Sequence, residues 1–262
     1  LTSVDLISKA SGLTTGWDFV YAHGTTSLRF YNANNNYTTG TFAPVVNRWY
    51  HIAASKTGST LRFFVDGVQN GSNIAVTGTF NGDATTLGVG GHTANNFGRL
   101  NGWAKQVRVT NGLARYTAAF TPSETAFADD GNTKLLILAE EAVGATTFAD
   151  SRVTPKTITT NGDCIIQHTP DYRNRVIIDR ETTPKVITVN NDTLITPVNT
   201  ISPRIVSSPI GYKGRIDFLC VFGEGSAIFD GTGDNLNIPT SSDWNFGTGD
   251  WTLEGWVRFN AN

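Results

Sequence analysis

The chain has 262 residues, with 20 Lys and Arg against 22 Asp and Glu, a net charge of −2 and only 16% charged residues. This length suffices for one large all-β domain or two smaller ones that bury roughly 70–75% of the unfolded surface, so the core needs no disulfides. The sparse, balanced charge excludes the electrostatic footprint of a nucleic-acid or anionic-membrane partner, and no apolar run nears the roughly 20 residues of a membrane helix. No signal peptide is visible.

In chain order, short alternating runs recur between Gly, Asn, Asp and Thr clusters, and no segment carries a sustained helical stripe. Strands are expected in "SLRFYNA" (Ser27–Ala33), "WYHIAASK" (Trp49–Lys56), "TLRFFVDGVQN" (Thr60–Asn70), "TTLGVGG" (Thr85–Gly91) and "WAKQVRVTNG" (Trp103–Gly112). Asp66-Gly67 marks a tight hairpin turn, because such a turn needs the positive φ that Gly supplies without penalty. Many short strands with regular turns argue for a β-sandwich or jelly roll.

Residues 141–212 break that rhythm. "DSRVTPKTITTNGDCII" (Asp150–Ile166) recurs 29 residues later as "DRETTPKVITVNNDTLI" (Asp179–Ile195), with Thr154/Thr183, Pro155/Pro184, Lys156/Lys185, Ile158/Ile187, Asn161/Asn190 and Asp163/Asp192 coinciding. Each copy reads as strand, polar turn and strand, expected to stack on its twin or on the sandwich. Cys164 falls opposite Thr193, which argues against an essential thiol, and with Cys220 it leaves the redox compartment open. "TPVNTISPRIVSSPIG" (Thr196–Gly211) reads as an extended connector.

The last twelve residues, "WTLEGWVRFNAN", alternate Trp251, Leu253, Gly255, Val257 and Phe259 with Thr252, Glu254, Trp256 and Arg258, a strand with two differently used faces. Methionine is absent even at position 1, where the large Leu1 would block removal of an initiator Met, so a processed product or a piece of something longer is expected.

"SAIFDGTGDNLNIPTSSDWNFGTGDWTLEGWVRFN" (Ser226–Asn260) resembles the opening strands of a laminin-G-like, concanavalin A-like jelly roll of the type found in bacteriophage virion and tail proteins. "NRWYHIAASKTGSTLRFFVDGVQ" (Asn47–Gln69) and "LNGWAKQVRVTNGLARYTAAFTP" (Leu100–Pro122) resemble its middle and closing strands. The order is inverted, and joining Asn262 to Leu1 restores an uninterrupted passage. The expectation is therefore an antiparallel β-sandwich, circularly permuted or cut from a tandem array, with an inserted hairpin repeat. Residues 1–140 supply middle and closing strands, 141–212 the insertion and 213–262 the opening strands. Ser226–Asn262 must close the apolar layer from the same chain or from a neighbour, and the second case implies self-association by strand exchange.

The resemblance also sets the chemistry to look for. Glucanases of this fold pair carboxylates about 5 Å apart on one strand face. Glu124, Glu140, Glu141, Glu181, Glu224 and Glu254 lack that spacing, so no enzyme is expected. His51 in "WYHIA" reads as a packed strand residue. Glycan binding needs an aromatic platform beside amides and hydroxyls. "YNANNNYT" and "GHTANNFG" supply Tyr37, Asn95, Asn96 and Phe97, with Trp17 and Trp103 as further candidates. Asp230, Asp234 and Asp250 in Gly-rich turns are candidate oxygen ligands for calcium. The resemblance implies a non-enzymatic virion or extracellular-surface protein, a capsid decoration or tail appendage. Its expected partners are neighbouring virion subunits or a host polysaccharide, and its alternative is a lectin module.

Overall fold

The computed structural model describes residues 3–12, 15–33, 35–94, 98–123, 125–167, 175–179, 216–220 and 225–260. These contain eighteen strands and no α-helix. They run β1 (Val4–Gly12), β2 (Thr15–Ala22), β3 (Ser27–Asn32), β4 (Asn35–Thr41), β5 (Trp49–Thr57), β6 (Thr60–Val65), β7 (Val68–Gln69), β8 (Ile74–Ala75) and β9 (Leu87–Val89). There follow β10 (Asn101–Asn111), β11 (Thr133–Ile137), β12 (Thr159–Asn161), β13 (Ile165–Gln167), β14 (Arg175–Asp179), β15 (Ile216–Cys220), β16 (Ser226–Asp230), β17 (Asn235–Ile238) and β18 (Trp251–Phe259).

One sheet has the order β12-β17-β9-β1-β2-β3-β4. The other runs β13-β16-β10-β18-β5-β6-β7, with β11 also on β10 and β8 also on β6, nine strands in all. Every pairing is antiparallel, as a jelly roll requires. The Asp66-Gly67 turn joins β6 to β7 with φ of 50° and 77°, the doubly positive geometry of a primed hairpin.

The two sheets enclose one core. Trp17, Phe19, Tyr21, Leu28 and Phe30 face it from the seven-stranded sheet, and Ile52, Phe63, Trp251, Leu253 and Phe259 from the nine-stranded one. Trp251 stacks on Phe30 at 4.7 Å and on Phe246 at 5.2 Å. β18 lies between β10 and β5 of its own chain, so the apolar layer closes intramolecularly.

The other face of β18 carries a second cluster. Trp256 packs there with Trp49, Phe127 and Leu136, and Trp103 is half-buried against them. Glu254, fully buried, accepts from Arg108 Nε at 2.8 Å and from Tyr116 Oη at 2.6 Å, and its Oε2 lies 3.2 Å from His51 Nε2. The segment after β10 straps this face down. Tyr116 and Phe120 stack at 3.6 Å, Phe120 N donates to Gly67 O at 2.9 Å, and Phe127 N donates to Gln106 Oε1 at 3.2 Å. His51 is thus the packed strand residue expected, with 0% exposure.

The first repeat copy does not form a hairpin of its own. β12 pairs with β17 in one sheet and β13 with β16 in the other, so the turn between them bridges the sandwich edge. The alternation explains it: Cys164 and Ile166 are both buried in the common core, which pulls β13 onto the nine-stranded sheet. The second copy, except Asp179, lies outside the described residues, as does the connector Thr196–Gly211. Thr169–Gly223 separates as a second compact unit, in which β14 and β15 pair from Arg175↔Cys220 to Asp179↔Ile216.

Candidate ligand-binding face

The outward face of the seven-stranded sheet is polar across its whole width. Register places Thr159, Asn237, Gly88, Ser8, Asp18, Tyr31 and Asn36 side by side, one from each strand. Directly opposed residues share a face, so the seven form a single outward row. The next row brings Asp5, Val20, Arg29 and Thr38 together.

The row is open at its ends and covered at its centre. Asn36 and Thr38 are exposed and Tyr31 and Arg29 half-exposed; at the other end Thr159 is exposed and Asn237 half-exposed. Arg29 Nη1 donates to Tyr31 Oη at 3.0 Å, and Thr38 Oγ1 donates to Asn36 Oδ1 at 3.1 Å. These contacts hold a phenol ring, an amide, a hydroxyl and a guanidinium on one rigid strand pair. That is the donor and acceptor set a saccharide needs beside an aromatic. At the centre Gly91 and Thr93 press against Gly88, where a Cβ would sit 2.4 Å from Gly91 O. Gly98 O accepts from Asp5 N at 2.8 Å, and a Cβ on Gly98 would sit 2.0 Å from Asp5 Oδ2.

Beneath this cover two carboxyls are buried. Burial raises Asp5 well above the usual carboxylate range; Asp18 raises it further and Arg99 opposes. Burial also pushes Asp18 up to about 7, against the hydrogen bond that Ser8 Oγ donates to it at 2.5 Å. Asp83, nearer the rim, goes the other way. Burial would raise it, but hydrogen bonds from Ser11 and Thr85 outweigh that and hold it at about 2.

Register also sorts the aromatic candidates. Tyr37 pairs with Phe30 and faces inward, its ring 6.2 Å from Phe80, whereas its neighbour Asn36 pairs with Tyr31 and faces out. Tyr31 is therefore the ring available to a ligand, inside the stretch that the sequence singles out but on the opposite parity. Trp17 is no platform: it is 0% exposed, stacks on Phe246 at 5.0 Å and donates Nε1 to Trp244 O at 2.9 Å. Trp103 lies on the outer face of the other sheet with the Arg258 guanidinium 4.3 Å over its ring, so it is not brought to the row. Asn95, Asn96 and Phe97 lie outside the described residues.

Of the three acidic candidates, Asp230 and Asp234 come together and are joined by Asp163 in place of Asp250, with ligand atoms within 4.8 Å of one another. Asp250 sits elsewhere, accepting from Gly58 N at 2.8 Å. Asp163 belongs to the repeat turn, and only the strand pairing of β12 with β17 carries it there. Asp234 is buried and already accepts from Asp163 N at 2.9 Å and Asp230 N at 2.8 Å. Burial, then the charges of Asp230 and Asp163, raise its pKa over the lowering effect of those amides. Three carboxylates, one of them held on both oxygens, would supply part of the roughly six to eight oxygen ligands calcium takes, the rest being left to backbone carbonyls and water. No function is derived through the trio.

Glu254, the glutamate of β18, is committed to the ion network under the strap. Burial works to raise its pKa, but the hydrogen bond from His51 and the charge of Arg108 outweigh it and hold the carboxyl below its ordinary value.

Residues 2–126 match the family model described as the concanavalin A-like lectin/glucanases superfamily, of the laminin-G-like kind. That stretch spans β1 to β10 and the strap as far as residue 126, and the strands that complete both sheets come from beyond it. The match and the sandwich together define a concanavalin A-like jelly roll, and they support a carbohydrate-binding or structural role. No curated protein and no solved structure matches the chain.

Proposed function

We propose that this chain is a non-enzymatic attachment module whose seven-stranded sheet binds a surface polysaccharide. The single observation that carries the reading is the polar row, above all its open end at Tyr31, Asn36, Arg29 and Thr38. Hydroxyls and amides on rigid strands recognise sugars with little ordering cost, and the ring of Tyr31 supplies an apolar sugar face with its partner. The likeness of its motifs to those of phage virion and tail proteins supports a place on a virion surface, with neighbouring subunits as further partners.

Glycan-array binding tests the reading. Tyr31→Ala and Asn36→Ala should abolish the signal of the unaltered protein, while Trp103→Ala should leave it in place. An array blank for the unaltered protein would turn the reading toward a purely structural role. Release of reducing sugar would overturn the non-enzymatic part.

A further inference from the structure

The 29-residue repeat places two nearly matching segments in one chain, and the first of them is seated at the sandwich edge, with β12 on β17 and β13 on β16. The seat of the first copy is defined in detail. Asp150 accepts from Leu136 N at 3.0 Å and from Lys156 N at 2.8 Å. Lys156 pairs with Asp243 and lies over the Trp244 ring at 5.2 Å. Ile158 packs on the core, Asn161 Nδ2 donates to Asn235 Oδ1 at 3.3 Å, and Ile166 is fully buried. The second copy keeps every one of these residue types, as Asp179, Lys185, Ile187, Asn190 and Ile195. By these contacts alone it would be a competing occupant.

Two positions break the equivalence. Gly162 has φ +74°, and a Cβ there would lie 2.1 Å from Asp234 Oδ1 and 3.0 Å from Asp234 Cα. That carboxylate cannot withdraw cheaply, because the amides of Asp163 and Asp230 hold it. The second copy carries Asn191 at this place. Asn tolerates the left-handed backbone, but its Cβ would strike the carboxylate. Arg152 is the other position. Its Nε and Nη2 bind Asp150 Oδ2 at 3.0 and 2.8 Å, with side-chain exposures of 6% and 0%. The second copy would set Glu181 beside Asp179, two carboxylates in a buried site.

We infer that Gly162 and Arg152 select which copy of the repeat closes the sandwich edge, by excluding the second copy at Asn191 and Glu181. The retained seat contacts make mis-seating a real alternative for this chain, and the two mismatches are the feature that rejects it. Reach is no barrier. The roughly thirty residues after Ile195 span far more than the sheet edge at about 3.3 Å each.

Cys164 reports on the seat, since it is buried there and its counterpart is Thr193. Thiol labelling read on the Cys164 peptide by mass spectrometry leaves Cys220 aside. In the full chain, Glu181→Arg with Asn191→Gly touches no residue of the first copy. It should speed Cys164 labelling roughly tenfold or more, as the repaired second copy displaces the first. Adding Ile195→Asp, which spoils the competitor, should restore the slow rate. Unchanged labelling in the double variant would overturn the inference. So would a slower rate on Ile195→Asp alone, because the second copy would then already be exchanging without repair. A fast rate accompanied by a concentration-dependent dimer would also overturn it, since the seat would then be filled from a second chain.

Discussion

Tyr116 Oη donates to Glu254 Oε2 at 2.6 Å across 138 positions of sequence, and it does so from the strap into the buried face of β18. The bond joins the motif "LARYTAAFTP", which lies within the residues that match the family model, to "WTLEGW", which lies beyond them. Burial and the Glu254 charge push the Tyr116 hydroxyl well above its ordinary pKa, so it remains a donor. Tyr116→Phe should cost about 1.5–3 kcal/mol, the value of a hydrogen bond to a charged acceptor, measured by denaturant unfolding. A loss below experimental error would mean that the strap is held by the Tyr116–Phe120 stack alone.

Removing the acceptor should be worse than removing the donor. Glu254→Ala leaves Arg108 without its carboxylate partner and His51 without its Nε2 contact inside the second cluster. Breaking a buried pair from one side costs about 3–5 kcal/mol. Glu254→Leu together with Arg108→Met should recover much of that loss, which a thermal melt of the three variants resolves.

Stability should fall as pH rises from acid toward neutral, the reverse of the usual carboxylate trend. Asp18 has a folded pKa of about 7 against an ordinary 3.8, so its contribution is complete below the unfolded value and is lost as pH climbs through the folded one. The full span is worth about 4 kcal/mol as an upper limit. Asp5 is raised in the same direction. Glu254 and Asp83, both held low, act oppositely and lose their stabilisation as pH drops through their folded values. The optimum should therefore lie on the acid side of neutral. Asp18→Asn should flatten the neutral limb in a series of melting temperatures against pH, and a limb that kept its slope would refute the assignment.

Two glycines of similar φ should differ in what they tolerate. Gly58 has φ +54° with nothing near its would-be Cβ, so Gly58→Ala should cost only the left-handed backbone strain, about 1–2 kcal/mol. Gly67 has φ +77° and would place a Cβ 1.9 Å from Phe120 O, so Gly67→Ala adds a collision with the strap. Urea midpoints should fall further for Gly67→Ala, and equal midpoints would show that the strap moves freely.

The sandwich was legible because alternation is local. Trp251, Leu253, Val257 and Phe259 read as one face, and the structure buries all four in the common core. The polar row was not legible, because it exists only across strands. Ser8, Gly88 and Asn237 are unremarkable in their own segments and meet through register set by distant turns. The same reason misplaced the aromatic by parity: Tyr31 and Tyr37 bracket one Asn cluster, and the hairpin pairing alone decides which faces outward. Trp17 carries no sequence mark that separates a platform from a core residue. The Trp244 carbonyl that receives its indole lies 227 positions away.

The central position of β18 has a kinetic corollary. Ser55 and Thr252 touch at 3.0 Å although 197 residues separate them, and β10 and β5 have no shared neighbour until the strand arrives. Closing so long a loop adds little to its entropic cost, which grows only logarithmically, but the reward of burial comes only once that distant pairing forms. Without β18 the strands on either side of it would keep apolar faces wet and edges open, a state that invites chaperone capture.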